Sequence, residues 1–436
     1  MKVERRVLRG HVICSGRHFA AAALVLCGLG PTPLAAQTVE SVPAVGGVLT
    51  LREAIDRAEG KSPSLDSAAA GVRAAEAARV GAGLRPNPSL VVESENIAGT
   101  GDYRGLRSAE TTAGLEFPIE LGGKRPARVA AAGSRANRAG IEAAIALADV
   151  RLRVTEAYID AAGAERSLVL AREQLGIATE GLRVARARVT AGAASPLEQQ
   201  RAEVARINAD VAMQRASRDS AVAGENLSRL MGAPVGGSLD LAWLERVDSY
   251  GPTVSVDAEG TLAYAAATAD VATAQAQLRI AQSQRIPDVT LSASVRRLEA
   301  TNDRAAVFGL SVPLPLFNSG KAGVTEAGAL RDQAEAQRRA ALIDAQQAIA
   351  RARADLENAA ATARAAGGPA LAAASEAARI ARIGYAQGKF GQLDLLEAER
   401  TLAETRGAFI EALVAYRKAQ AQLERLSAPA LLPEVK

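Results

Sequence analysis

Protein chemistry usually falls to histidine, cysteine and clustered carboxylates, and this sequence of 436 residues has only two histidines and two cysteines. His11, His18, Cys14 and Cys27 all lie within the first 36 residues. If that segment is removed, the remaining chain has no disulfide framework, no imidazole or thiolate metal centre, and no Ser–His or Cys–His pair. Met213 and Met231 remain as soft donors and cannot by themselves make a tight zinc or copper site. Carboxylates are left. Asp394 and Glu397, three residues apart, share one helix face and suit hard cations or acid–base work. The bland alternative is a pair of solvated charges bonded to Arg400 or Arg201. Gly122-Gly123-Lys124 and Gly320-Lys321 lack the full P-loop spacing and its following Ser/Thr, so they read as glycine turns before helices. No catalytic residue, resident metal or cofactor is expected.

Residues 1–36 read as a secretory signal: a basic start, an apolar run from Phe19 to Leu29, then Pro31, Pro33, Leu34, Ala35 and Ala36. Eleven apolar residues are too few to span a bilayer as a helix. Leu26 before Cys27 is not the small residue that a lipoprotein signal prefers. The formal net charge of +4 comes from this leader, where Lys2, Arg5, Arg6, Arg9 and Arg17 stand against Glu4. Beyond it 47 basic residues balance 47 acidic ones, so the charge gives no support for a nucleic-acid partner.

The elements that must position the carboxylates are helices. Hydrophobic residues make up 48% of the chain but aromatics only 3%, with alanine the main contributor, which favours close helix contact over a bulky core. The sequence is also duplicated. Pro88-Ser89-Leu90-Val91-Val92 corresponds to Pro287-Asp288-Val289-Thr290-Leu291, Gly192 and Leu197 to Gly388 and Leu393, Ala202-Glu203 to Ala398-Glu399, and Leu227 to Leu423, at offsets of 196 to 199. The expected division is a first repeat over 37–232, an inter-repeat linker over 233–256, a second repeat over 257–429 and a tail over 430–436. Each repeat reads helix, two strands, long helix, tight turn, helix.

Strands are expected near 88–97, 108–118, 288–297 and 305–314, because apolar and polar residues alternate there. Ala113, Leu115 and Phe117 oppose Thr112, Gly114 and Glu116, and Phe308 and Leu310 oppose Gly309 and Ser311. The first strand is noisier, with Glu93 and Glu95 on the face of Val91. About ten residues per strand is enough to cross an outer membrane at a tilt; a soluble, half-buried sheet fits the alternation too. Helical hairpins follow over about 124–231 and 321–427. On the last helix Leu395, Leu402, Phe409, Tyr416 and Leu423 recur every seven residues, a coiled-coil pattern. A helix over 124–190 would reach about 100 Å. The return helix covers about half of that, and residues 64–83 would stack end to end above it. Gly367-Gly368-Pro369 predicts a break or bend in the second long helix.

Four strands with free edges cannot sit in lipid, so strands of other chains must close them. Three copies would give a twelve-stranded barrel continuing into a tube of helices. That architecture and the repeat resemble the TolC-like outer-membrane efflux family. Asn87-Pro88-Ser89-Leu90, Glu120-Leu121-Gly122-Gly123-Lys124-Arg125 and Pro313-Leu314-Pro315-Leu316-Phe317-Asn318 look most like its cobalt–zinc–cadmium branch, which serves heavy-metal pumps of the RND type. The fold class so implied is mainly α with a small membrane β-barrel portion: a trimeric barrel on an α-helical periplasmic tunnel.

The resemblance implies a homotrimeric, passive exit duct in outer-membrane lipid, with a long periplasmic extension docked on a periplasmic adaptor (membrane fusion) protein and an inner-membrane RND pump. It makes the two turns the adaptor-contacting tips, through Gly192, Ser195 and Leu197 in the first and Gly388, Lys389, Gly391 and Leu393 in the second. It places Asp394 and Glu397 at the narrow periplasmic aperture, where threefold symmetry would turn them into acidic rings. The first repeat departs there, with Glu198 matching Asp394 but Arg201 standing where Glu397 stands. Phe117, Phe308 and Phe317 would lie at the lipid boundary. The rival readings are the same duct for organic drugs or a secreted polypeptide, and a periplasmic coiled-coil structural protein without a barrel.

Overall fold

The protein is described here from a computed structural model, over residues 47–247 and 257–430. The expected signal segment, residues 248–256 of the inter-repeat linker and the tail from residue 431 lie outside these residues. In the first repeat, α1 (Leu51–Glu59) and α2 (Pro63–Ala82) lead into β1 (Ser89–Glu95) and β2 (Glu110–Ile119). Two long helices follow, α3 (Lys124–Thr190) and α4 (Pro196–Met231). After the short α5 (Leu241–Glu245), the second repeat runs through α6 (Leu262–Ser283), β3 (Val289–Leu298) and β4 (Asp303–Ser311). It ends with α7 (Lys321–Ala365), a π turn (Ala366–Ala370), α8 (Leu371–Ala386) and α9 (Gln392–Leu426).

The strands form one antiparallel sheet in the order β1-β2-β3-β4. β4 stops at Ser311, short of the expected 314, because Pro313 and Pro315 have no N–H to donate to a ladder. At the junction below the sheet, Lys124 Nζ lies 2.7 Å from the Asp288 carboxylate, which also accepts the Leu121 N–H at 3.1 Å. Arg128 pairs with Glu120 beside it. The start of α3 is thereby tied to the end of β2 and the start of β3.

α2 and α4 both pack along α3, and Lys61, just before α2, donates to the carbonyl of Gly232 at the end of α4. α2 therefore takes over where α4 stops. In the second repeat α6 and α9 flank α7 in the same way, with Thr261 bridged to Pro429 where α6 begins and α9 ends. The interruption expected at Gly367-Gly368-Pro369 is one wide turn inside a continuing helical path, not a break. Shifting the hydrogen-bond register accommodates the missing Pro369 N–H. Gly367 lies directly under the Phe409 ring of α9, where a Cβ would have no room.

The largest core is a belt where these joints meet. Val154, Tyr158, Ile159, Leu227, Met231, Leu356, Leu413 and Leu423 are all at most 3% exposed in it. The Tyr158 hydroxyl donates to the carbonyl of Leu49 at 2.8 Å and accepts the Asp240 N–H at 3.0 Å. Its ring meets Trp243 edge-on at 5.5 Å. Arg417 lies 4.4 Å over the other aromatic system, Trp243, and donates to the carbonyls of Trp243 and Arg246. Away from the belt the helices meet through alanines, such as Ala127, Ala131, Ala132 and Ala136 of α3.

Candidate functional site

The two inter-helix turns lie side by side at the end of the molecule away from the sheet. Gly192 and Gly388 take left-handed conformations, at φ 68° and 74°, and so end α3 and α8 without a Cβ clash. The Ser195 hydroxyl caps α4 by accepting the Leu197 N–H at 3.3 Å. Gly192, Ser195, Leu197, Gly388, Lys389, Gly391 and Leu393 are all exposed, with Leu197 at 55% and Leu393 at 64%.

Matching ion pairs hold each hairpin together just above its turn. Arg186 reaches Glu203 at 2.7 Å in the first, and Arg382 reaches Glu399 at 2.8 Å in the second. Donating hydrogen bonds to the Glu399 carboxylate raises the pKa of the Arg382 guanidinium. A further cluster joins one hairpin to the other. The buried Gln392 donates to the carbonyl of Glu198 at 2.9 Å, and the Arg188 guanidinium lies 4.7 Å over the Tyr385 ring. The Glu198 carboxylate stands 4.0 Å from Arg188. Burial is the main cause pushing the Tyr385 hydroxyl pKa up. Sequence reasoning missed Gln392 as a contact residue; its only signal was an uncharged polar side chain opening a helix.

Asp394 and Glu397 sit on one exposed face of the first turns of α9. Asp394 also accepts the Gly391 N–H at 3.0 Å, which secures the start of the helix. Glu397 lies 3.9 Å from Arg400, an exposed pair of the kind worth little. Both carboxylates thus keep open faces toward solvent. Among the described residues no group of three or more His, Cys, Asp or Glu side chains is placed to hold a metal ion.

At the other end, the sheet has two distinct faces. Leu90 and Val92, Ala113, Leu115 and Phe117, Leu291, Ala293 and Val295, and Ala306, Phe308 and Leu310 align across the strands on one face. Phe308 is 81% exposed and Leu310 67%. The opposite face carries Thr112, Gly114, Glu116, Ser292, Ser294 and Arg296, and Arg296 bridges Glu110 at 2.9 Å and Glu95 at 3.3 Å. Glu93 and Glu95 of β1 therefore belong to the polar side, which Val91 shares, opposite Gly114. A continuous exposed apolar face of this size marks contact with lipid or protein. Phe317, beyond β4, is fully exposed.

Residues 54–233 and 261–428 match the family described as outer membrane efflux protein, so that both repeats are covered. The chain belongs to that family. It is 30% identical over 387 residues to the cobalt-zinc-cadmium resistance protein CzcC of Cupriavidus metallidurans, covering 87% of this chain and 90% of the relative. The nickel and cobalt resistance protein CnrC of the same organism is 32% identical over 61% of this chain and 63% of its own. The fold matches the outer membrane protein VceC of Vibrio cholerae, with a TM-score of 0.71 at 22% identity over 87% of this chain and 96% of that one. It also matches the open state of the MtrE outer membrane channel of Neisseria gonorrhoeae, with a TM-score of 0.69 at 21% identity over 86% and 88% of the two chains. This efflux protein is thus an outer-membrane protein, with a small sheet at one end of long helices. Among its described residues no helix is long and apolar enough to cross a membrane; the two-faced sheet is the part suited to lipid.

Proposed function

We propose that three copies of this chain form a passive outer-membrane exit duct for heavy-metal cations. The observation that carries the reading is the sheet: its apolar face is the exposed one, and β1 and β4 are its two open edges. Unpaired edges are too costly in hydrocarbon, so neighbouring copies must close them. Three four-stranded sheets give a twelve-stranded barrel with the apolar face outward and the row of Glu93, Glu95, Glu110, Glu116 and Arg296 inward. The long helices then continue the barrel as a tunnel into the periplasm. The exposed tips, with Lys389 and small residues at their ends, suit close contact with a periplasmic adaptor. Asp394 and Glu397, near the same end, would line the narrow aperture and favour cations there. An inner-membrane pump of the RND type would supply the energy.

Metal cargo is supported by the named resistances of the relatives, and a passive role agrees with the lack of histidine and cysteine beyond residue 36. A duct conducts only if it releases what enters. Deleting the gene should sensitise cells to cobalt, zinc, cadmium or nickel salts and leave sensitivity to organic antibiotics unchanged. The reverse pattern would move the cargo to organic compounds while leaving the duct itself intact.

A further inference from the structure

The upper edge of the apolar sheet face is a row the duct reading does not use. Ser94, Thr111, Arg297 and Arg304 align across the strands, one on each, at the end away from the helices. They belong to the same face as Val92, Ala113, Val295 and Ala306, the next aligned row toward the helices. At ~3.4 Å per residue, the polar row stands ~7 Å along the strands beyond that apolar one. With the sheet in the membrane as proposed above, this is where hydrocarbon gives way to headgroups on the extracellular side.

The charges in this row are unusual. Arg297 and Arg304 are directly opposite each other on β3 and β4, and like charges so placed repel. Arg297 is partly neutralised by Glu299 at 3.1 Å, while Arg304 is exposed and has no ion-pair partner among the described residues. Arg296, on the other face at the same height, is held by two carboxylates. The outward arginines therefore keep a net positive charge beside two hydroxyls, Ser94 and Thr111, whose oxygens are 3.4 Å apart. Guanidinium groups bind phosphate through paired, charge-assisted hydrogen bonds, and hydroxyls add further donors. We infer that this row binds the phosphate group of an anionic outer-leaflet lipid, whose chains lie along the apolar rows below. The bound phosphate relieves the repulsion between the arginines, and so ties lipid binding to the stability of the β3–β4 hairpin.

This inference rests on the membrane placement of the sheet, and the test separates the two. Assembled wild-type protein and the Arg297→Gln/Arg304→Gln variant would be titrated in detergent with a bisphosphorylated glucosamine glycolipid, with its dephosphorylated form, and with inorganic phosphate, following thermal unfolding and lipid retention by native mass spectrometry. The phosphorylated lipid should raise the wild-type melting temperature where the dephosphorylated lipid and inorganic phosphate do not. The double variant should bind it about tenfold more weakly or worse. Should that variant fail to assemble, Arg304→Gln alone, which breaks no described ion pair, gives the same reading. Equal response to the dephosphorylated lipid, an equal effect of inorganic phosphate, or unchanged affinity in the variant that assembles would each overturn the inference. Loss of heat-modifiable assemblies from wild-type membranes would instead count against the barrel itself.

Discussion

Asp394 and Glu397 are the residues on which cation entry is proposed to depend, and their surroundings allow a clean test. Asparagine at 394 keeps an oxygen for the Gly391 N–H, so the start of α9 should survive its substitution. Neither residue belongs to the Leu395–Leu402–Phe409 seam. Asp394→Asn with Glu397→Gln should therefore leave assembly intact while lowering cation selectivity in planar bilayers and weakening block by multivalent cations. An assembled variant with wild-type selectivity and block would return both residues to the role of solvated charges. Tyr158 offers a different measurement. Burial pushes its hydroxyl pKa up to about 12, well above the unfolded value near 10. The unfolded chain thus loses its proton first, and the stability from this group, complete below about pH 10, falls as pH rises toward 12. Tyr158→Phe should destabilise the protein by about 1–3 kcal/mol at neutral pH, since it orphans the Leu49 carbonyl. It should also flatten the alkaline limb of the melting-temperature profile; an unchanged limb would mean that the hydroxyl ionises freely in the fold. The sequence showed what chemistry was missing, because absence of histidine and cysteine needs no geometry. It did not show the Gln392–Glu198 contact, which joins residues 194 apart, nor the Arg417–Trp243 stack, 174 residues apart. Neither contact has a periodic signature.

Secondary elements were more legible, and the reason is periodicity. Alternation along β2, β3 and β4 reported a sheet with two unlike faces, and the seven-residue series on α9 reported a packed seam: Leu402, Tyr416 and Leu423 are buried. β1 was harder to read because Val91 stands on the polar face, opposite Gly114. The π turn was harder still. Two glycines and a proline signal a disturbed helix, but the Phe409 ring above Gly367 comes from a distant helix. For the sheet, exposure gives a direct prediction. Cysteines placed at Ala113 and Leu310, in assembled protein within native membranes, should resist water-soluble maleimides, while one at Ser292, on the polar face, should react. Efficient labelling at Ala113 or Leu310 would refute the lipid-facing assignment.

At the scale of the whole molecule, the duplication shaped what the sequence revealed, matched strand pairs, matched turns and two helical hairpins, and the structure adds a matching ion pair above each turn. The duplication also constrains how such a molecule changes. α3 contains 67 residues, and α7, the π turn and α8 together run from 321 to 386, nearly the same count. Each added residue lengthens a helix by ~1.5 Å and turns it by about a hundred degrees. One residue inserted in either wall alone would set the two turns at different levels and rotate Arg188 away from Tyr385 or Gln392 away from Glu198. A longer or shorter tube therefore requires paired edits, made in both halves and on the rising and returning helix of each, in steps that restore the helical phase. The gene copied once must, for its length, keep being edited as two.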